Sequence, residues 1–206
     1  PEAEVLASRH CRVVDGKKLL QRVNLPDNFQ GIVENFIDVY RRGSGLIHSS
    51  SVAIRPAALQ LAGAFPVGAT RSQDIYLWLR LGLMSPVAFS NRETVLRHDD
   101  GSAAAGRART VPYHLLMFYN NSHAPYYQSS ASLRRYLRKS ILVFTAAAVN
   151  GGQLELVHDL VRLAFRANWW IGINVLIVSL IPRPILRLGR RAQLLIRRES
   201  GLQYRY

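Results

Sequence analysis

Residues 72–83 read Ser72-Gln73-Asp74-Ile75-Tyr76-Leu77-Trp78-Leu79-Arg80-Leu81-Gly82-Leu83, and this stretch sets the reading of the first half of the chain. Ile75, Leu79 and Leu83 recur at helical spacing with Trp78 beside them, which predicts a helix over Gln73–Leu83. A serine hydroxyl just ahead of such a run can accept a hydrogen bond from an amide two or three residues on, so Ser72 is read as its cap. Upstream, His48–Arg55 is rich in Ser and in small or β-branched residues and reads as a strand. Pro56 follows where a helix accepts proline, at its first position, and Ala57–Ala62 completes that short helix before Gly63. Downstream, Pro86–Ser90 and Thr94–His98 read as short strands and Asp99–Ala108 as a loop of small residues.

Farther out, Val5–Val14 reads as a strand, Asp15-Gly16 as a hairpin turn and Leu19–Val23 as the returning strand. Leu25–Gly31 is expected to be a loop, and Ile32–Arg41 a helix ended by Gly43-Ser44-Gly45. From Val111 onward the pattern turns helical. Pro112–Asn121, Ala131–Asn150 and Gln153–Asn168 are separated by polar or glycine breaks, and Gly151-Gly152 is the clearest of these. Trp169–Ile181 is a 13-residue apolar run closed by Pro182-Arg183-Pro184, and Ile185–Arg198 reads as a basic helix.

Alternating strands and helices followed by helices alone predict an α/β fold, a mixed sheet with flanking helices, and then an α-helical C-terminal extension. The expected boundary divides residues 1–108 from residues 109–206. The composition supports a folded core: the apolar share is 49%, too high for a disordered chain. Cys11 is the only cysteine. It can form no internal disulfide and no cysteine metal centre, and its place in an alternating apolar stretch reads as a buried, inert thiol. Pro1 in place of an initiator Met, with no leader-like segment after it, reads as a start inside a longer chain.

The net charge is +14 and it is unevenly placed. Residues 1–100 hold 12 Lys/Arg against 10 Asp/Glu, whereas residues 101–206 hold 15 against 3. A one-sided excess of this kind points to an anionic partner, whether a membrane surface, a nucleic acid or a phosphate-bearing substrate.

The most informative ordered set runs from His48 to Ser102. It comprises Ser49-Ser50-Ser51-Val52-Ala53-Ile54-Arg55, Gly63-Ala64-Phe65-Pro66, Gln73-Asp74-Ile75-Tyr76-Leu77-Trp78-Leu79-Arg80, and Val95-Leu96-Arg97-His98-Asp99-Asp100-Gly101-Ser102. In this order and spacing it resembles the second half of a family-2 inverting glycosyltransferase of the GT-A fold. Val13-Val14-Asp15-Gly16-Lys17 extends the resemblance more loosely over the first residues. The resemblance implies a partial GT-A-like mixed sheet and a sugar transferred from a nucleotide-sugar donor to a saccharide or lipid-linked acceptor. It assigns Asp74 as the general base that takes the acceptor hydroxyl proton, a task that a carboxylate at a helix N-terminus suits. Gln73 stands where the family has Glu, and keeps hydrogen-bonding capacity without the charge.

By the same resemblance Gln73, Trp78, Arg80, Ser50, Ser51 and Arg97 bind substrate and His98 approaches a divalent metal, Mn or Mg. The metal's main Asp-x-Asp ligands are absent from this chain and are expected upstream of Pro1. Read without the resemblance, the same residues have plainer roles. Asp74 is then a first-turn acid, Trp78 a core side chain, Arg80 a helix anchor, Ser49–Ser51 a packed strand, and His98 a loop-edge imidazole beside two acids.

The basic half allows a second class of function, a non-catalytic protein that holds an anionic membrane surface or a nucleic acid. No nucleic-acid-binding motif is visible, so nucleic acid is not the expected partner. Trp169–Ile181 is shorter than the roughly 20 apolar residues needed to cross a bilayer core. Tryptophans at one end and Arg183, Arg187, Arg190, Arg191, Arg197 and Arg198 after it suit a membrane surface. The expected location is cytoplasmic, peripheral on the cytoplasmic face of the membrane.

Overall fold

The computed structural model describes residues 3–14, 16–20, 23–43, 46–98, 110–186 and 188. They form two compact units. One comprises residues 3–69 and 73–98, the other residues 70–72 and 110–188. The expected boundary at residue 108 lies outside the described residues, as do Asp99–Ala108 and nearly all of the expected basic helix Ile185–Arg198.

The first unit is α/β with a mixed sheet. Strand β1 (Val5–Val14) pairs antiparallel with β2 (Lys17–Leu20) beyond its middle and with β4 (Val52–Ile54) at its start. Its other edge pairs parallel with β5 (Val87–His98), whose far edge carries the short antiparallel β3 (Gln30–Ile32). Gly16, at φ 73°, makes the tight turn between β1 and β2 that the Asp-Gly pair predicts. Helices α1 (Phe36–Arg42), α2 (Pro56–Leu61) and α3 (Gln73–Met84) lie in the long crossover from β1 to β5. Pro56 opens α2 at its first turn, as expected from its fixed φ and missing N–H.

Three local expectations are corrected. Residues 30–32 form a strand, so α1 begins at Phe36 rather than Ile32, after Asn35 in a left-handed conformation (φ 50°). The two short strands expected at Pro86–Ser90 and Thr94–His98 are one strand. Its pairing with β1 slips at Ser8/Arg9 and again at Arg9/His10 instead of breaking. Of the strand expected over His48–Arg55, only Val52–Ile54 forms a strand. His48–Ser51 is a turn in which the Ser51 amide donates to the His48 carbonyl (2.9 Å).

The buried stripe of α3 also differs from the expected one. It comprises Leu77, Trp78, Leu79 and Leu81, while Ile75 and Leu83 are half-buried. Gly82 sits against the Phe36 ring, and a β-carbon there would come within 2.1 Å of it. Glycine is what lets α1 and α3 approach this closely. Ser72 has φ 59° rather than the extended backbone of a capping residue.

Among the described residues the second unit is helical: α4 (Tyr113–Asn120), α5 (Pro125–Ser129), α6 (Ala131–Gly151), α7 (Leu154–Ala167) and α8 (Trp169–Leu180). The α5 turn was not anticipated. Ser130 caps α6 by accepting from the Leu133 amide (3.2 Å), and Asn168 caps α8 by accepting from Trp170 (2.9 Å). Gly152, at φ 69°, ends α6 in the left-handed conformation that a glycine stop provides. Leu115, Phe118, Leu133, Leu137, Ile141, Leu156 and Leu160 fill the core. Burying each is worth roughly 1.5–3 kcal/mol. No helix among the described residues is long and apolar enough to cross a membrane.

Candidate active site

The parallel pair β1–β5 sorts its polar side chains onto two faces, because successive residues of a strand point to opposite sides. On one face His10 and Arg12 stand two residues apart on β1, and Arg97 of β5 lies opposite Arg12. On the other face lie Cys11, Glu93 and, from β2, Lys18, which pairs with Glu93 at 3.1 Å. Burial first, and then Glu93, pushes the Cys11 thiol up, in keeping with the inert role read for it.

The His10 face gathers charge and imidazole from four elements. The turn His48–Ser51 brings the His48 ring onto His10, with centroids 4.5 Å apart and planes tilted by 38°. The Ser50 amide donates to His48 Nδ1 (3.2 Å), so in the neutral ring the proton is on Nε2, which is left as a donor. His10 is 6% exposed and its buried Nδ1 has no hydrogen-bond partner among the described residues. Burial, followed by His48, Arg97 and Arg12, lowers the His10 pKa to about 4. Burial and Arg97 also lower that of His48, against the pull of Asp74, whose negative charge favours the protonated ring. Both imidazoles are therefore neutral near pH 7.

Asp74 reaches this group from α3. It lies in the first turn of α3, one turn ahead of the buried Leu77 and Trp78. Its carboxylate is solvent-exposed, and Oδ1 accepts from the Ile75 amide at 2.8 Å in the first turn of the helix. The second oxygen remains for a ligand. The unit thus presents a carboxylate, two neutral imidazoles and two guanidinium groups in the C-terminal half of a parallel strand pair, where open α/β sheets commonly bind ligands.

The residues singled out from sequence are distributed as follows. Asp74 and Arg97 both act on the charge of His48, in opposite directions. Gln73 is half-buried at the start of α3. Ser50 is exposed in the His48 turn and supplies the amide that orients the ring, while Ser51 is buried at 7% exposure and gives its carbonyl to the Ser8 amide (3.0 Å). Trp78 is enclosed at 2% exposure, edge-on to Phe65 with centroids 5.9 Å apart. It backs the helix start that carries Asp74. Arg80 is half-buried on α3.

His98 is exposed and lies beside Val13, on the face opposite Arg97. Among the described residues no three His, Cys, Asp or Glu side chains converge as metal ligands. His10 and His48 were not anticipated. The usable signal is the recurrence of polar residues at Ser8, His10 and Arg12, each two apart on one face of β1.

Comparison of the chain with protein-family models, with curated proteins and with solved structures finds no match.

Proposed function

We propose that the first unit is the acceptor side of an inverting glycosyltransferase of GT-A type that uses a nucleotide-sugar donor. The observation that carries this reading is the stacking of His48 on His10 beside Arg97, with the charge of Asp74 acting on His48 from the solvent-open start of α3. In the proposed reaction the acceptor hydroxyl oxygen attacks the anomeric carbon. The new oxygen–carbon bond forms as the bond from that carbon to the diphosphate oxygen breaks. The hydroxyl proton passes to the free oxygen of Asp74, and the nucleoside diphosphate leaves.

Each neighbour has a physical part in this scheme. The Ile75 amide holds one carboxylate oxygen and so fixes the direction of the other. The neutral His48 donates from Nε2, which suits holding the acceptor hydroxyl or a sugar oxygen. Arg97 and Arg12 offer bidentate donors to an oxyanion such as a diphosphate. A divalent cation held by acids outside this chain would share the diphosphate charge, as the sequence resemblance implies. The same reading places the protein peripherally on the cytoplasmic face of a membrane, supported by the basic excess of residues 101–206.

The test is a transfer assay on the complete natural protein with a panel of nucleotide-sugar donors. Asp74→Asn is expected to lower turnover by roughly 100- to 10,000-fold, the usual contribution of a positioned base, with donor binding retained. Transfer at the wild-type rate by Asp74→Asn overturns the assignment.

A further inference from the structure

Helix α8 is apolar on both of its faces. Its inner face, Ile171, Gly172 and Val175, is buried. Gly172 lies so close to Phe165 of α7 that a β-carbon would come within 2.3 Å of the ring. Its outer face carries Trp169 at 55% exposure, Trp170 at 60%, Ile177 at 57% and Leu180 at 72%, with Leu176 between them. The one polar residue near that stripe, Asn174, turns its amide back to the Trp170 carbonyl (2.7 Å). A surface helix of a water-soluble protein normally sets polar side chains on this side, and α7 does so with His158, Asp159, Arg162 and Arg166. An apolar face this continuous marks a surface that something covers.

Charge identifies the cover. Exposed Arg183 follows α8 directly, Arg162 and Arg166 are exposed on α7, and the sequence continues through Arg187, Arg190, Arg191, Arg197 and Arg198. Only Glu155, Asp159 and Glu199 are acidic after residue 100. An apolar stripe with tryptophans at one end and arginines beyond the other complements an anionic bilayer surface, in which acyl chains meet the stripe and head-group phosphates meet the guanidinium groups. The helix is too short to cross and suits lying in the plane of the interface.

We propose that α8 is the membrane anchor of this protein, its outer face inserted among the acyl chains of an anionic lipid leaflet. This rests on the peripheral location proposed above and not on the chemistry assigned to Asp74.

The experiment is flotation of the full chain with phosphatidylglycerol-containing vesicles and with pure phosphatidylcholine vesicles. It is read beside tryptophan emission with brominated acyl chains. The wild type is expected to float with the anionic vesicles, with blue-shifted emission that the bromolipid quenches. Trp169→Ser combined with Trp170→Ser and Ile177→Ser is expected to weaken partitioning by roughly 100-fold or more. All three side chains are exposed, so the variant should keep the wild-type melting temperature. If the variant floats like the wild type, the arginines suffice and the α8 anchor is wrong, although a peripheral location stands. If the wild type binds neither vesicle, both fall. If the wild type self-associates without lipid and the variant is monomeric and neither floats, the stripe is an interface between copies and the proposal is overturned.

Discussion

The two units each bury histidine, in opposite ways. In the helical unit His114 is fully buried between the rings of Tyr136 and Phe144, and its Nε2 meets Ser140 Oγ at 2.9 Å. Burial, with Arg71 adding to it, lowers its pKa to about 3. In the sheet unit His10 is also held neutral, but it stacks on a half-exposed second imidazole and faces Arg12 and Arg97, and a carboxylate acts on that second ring. Both rings are neutral for the same first reason, desolvation. The company differs: His114 sits within one helical core among aromatic rings, whereas His10 stands where β1, β5, the His48 turn and α3 bring charges of both signs toward solvent. A lowered pKa alone therefore does not mark a site; convergence of several elements on an accessible group does.

Acid titration should break this comparison most strongly. An unfolded imidazole takes a proton below about pH 6.5, while folded His10 resists until about pH 4. Between those values the unfolded chain holds more protons, so stability is full above pH 6.5 and falls as the pH drops. The loss for His10 is expected to approach about 3 kcal/mol in urea unfolding of the sheet unit. His10→Phe should flatten that slope, and an unchanged slope would mean that the ring is not the group that resists protonation. His114 should give its own decline in the helical unit, extending to lower pH, with no consequence for the proposed sugar transfer.

Next in size is Gly82→Ala. The new methyl would meet the buried Phe36 ring, and overpacking of this kind costs about 1–3 kcal/mol. Denaturant titration should show the loss, with partial recovery in Gly82→Ala/Phe36→Leu. His48→Ala should lower the proposed transfer about tenfold, since it removes a donor near the proposed base but not the base itself, and should leave the melting temperature nearly unchanged. His114→Ala should do the reverse. The smallest effect is expected from Gly172→Ala. Its clashing partner Phe165 is 42% exposed and can swing outward, so the cost should stay below about 1 kcal/mol.

The sequence disclosed what local physics controls. Pro56 marked a helix start, Gly151-Gly152 marked the stop of α6, and the period of Ala131–Asn150 and Gln153–Asn168 placed α6 and α7 to within a residue or two. It singled out Asp74 and Arg97 as members of a pattern, but not that both act on the charge of His48. His10 and His48 meet because β1 pairs antiparallel with β4, which lies over forty residues later in the chain, and because a Ser-rich segment turns where a strand was expected. Such long-range pairing leaves little trace in local periodicity. The slip at Ser8–His10, which keeps β5 whole across Asn91-Arg92, is likewise a property of two strands together. Asn91 shows why the strand need not break there, since its side chain donates to the Pro26 carbonyl (2.7 Å) and its amide to the Phe29 carbonyl (2.9 Å).

The most direct measurement is chemical rescue at position 74. Single-turnover transfer by Asp74→Ala in the complete protein should be nearly absent, and added formate should restore it in proportion to its concentration, because a free carboxylate can then take the acceptor proton. Unimpaired transfer by Asp74→Ala without formate would contradict the account.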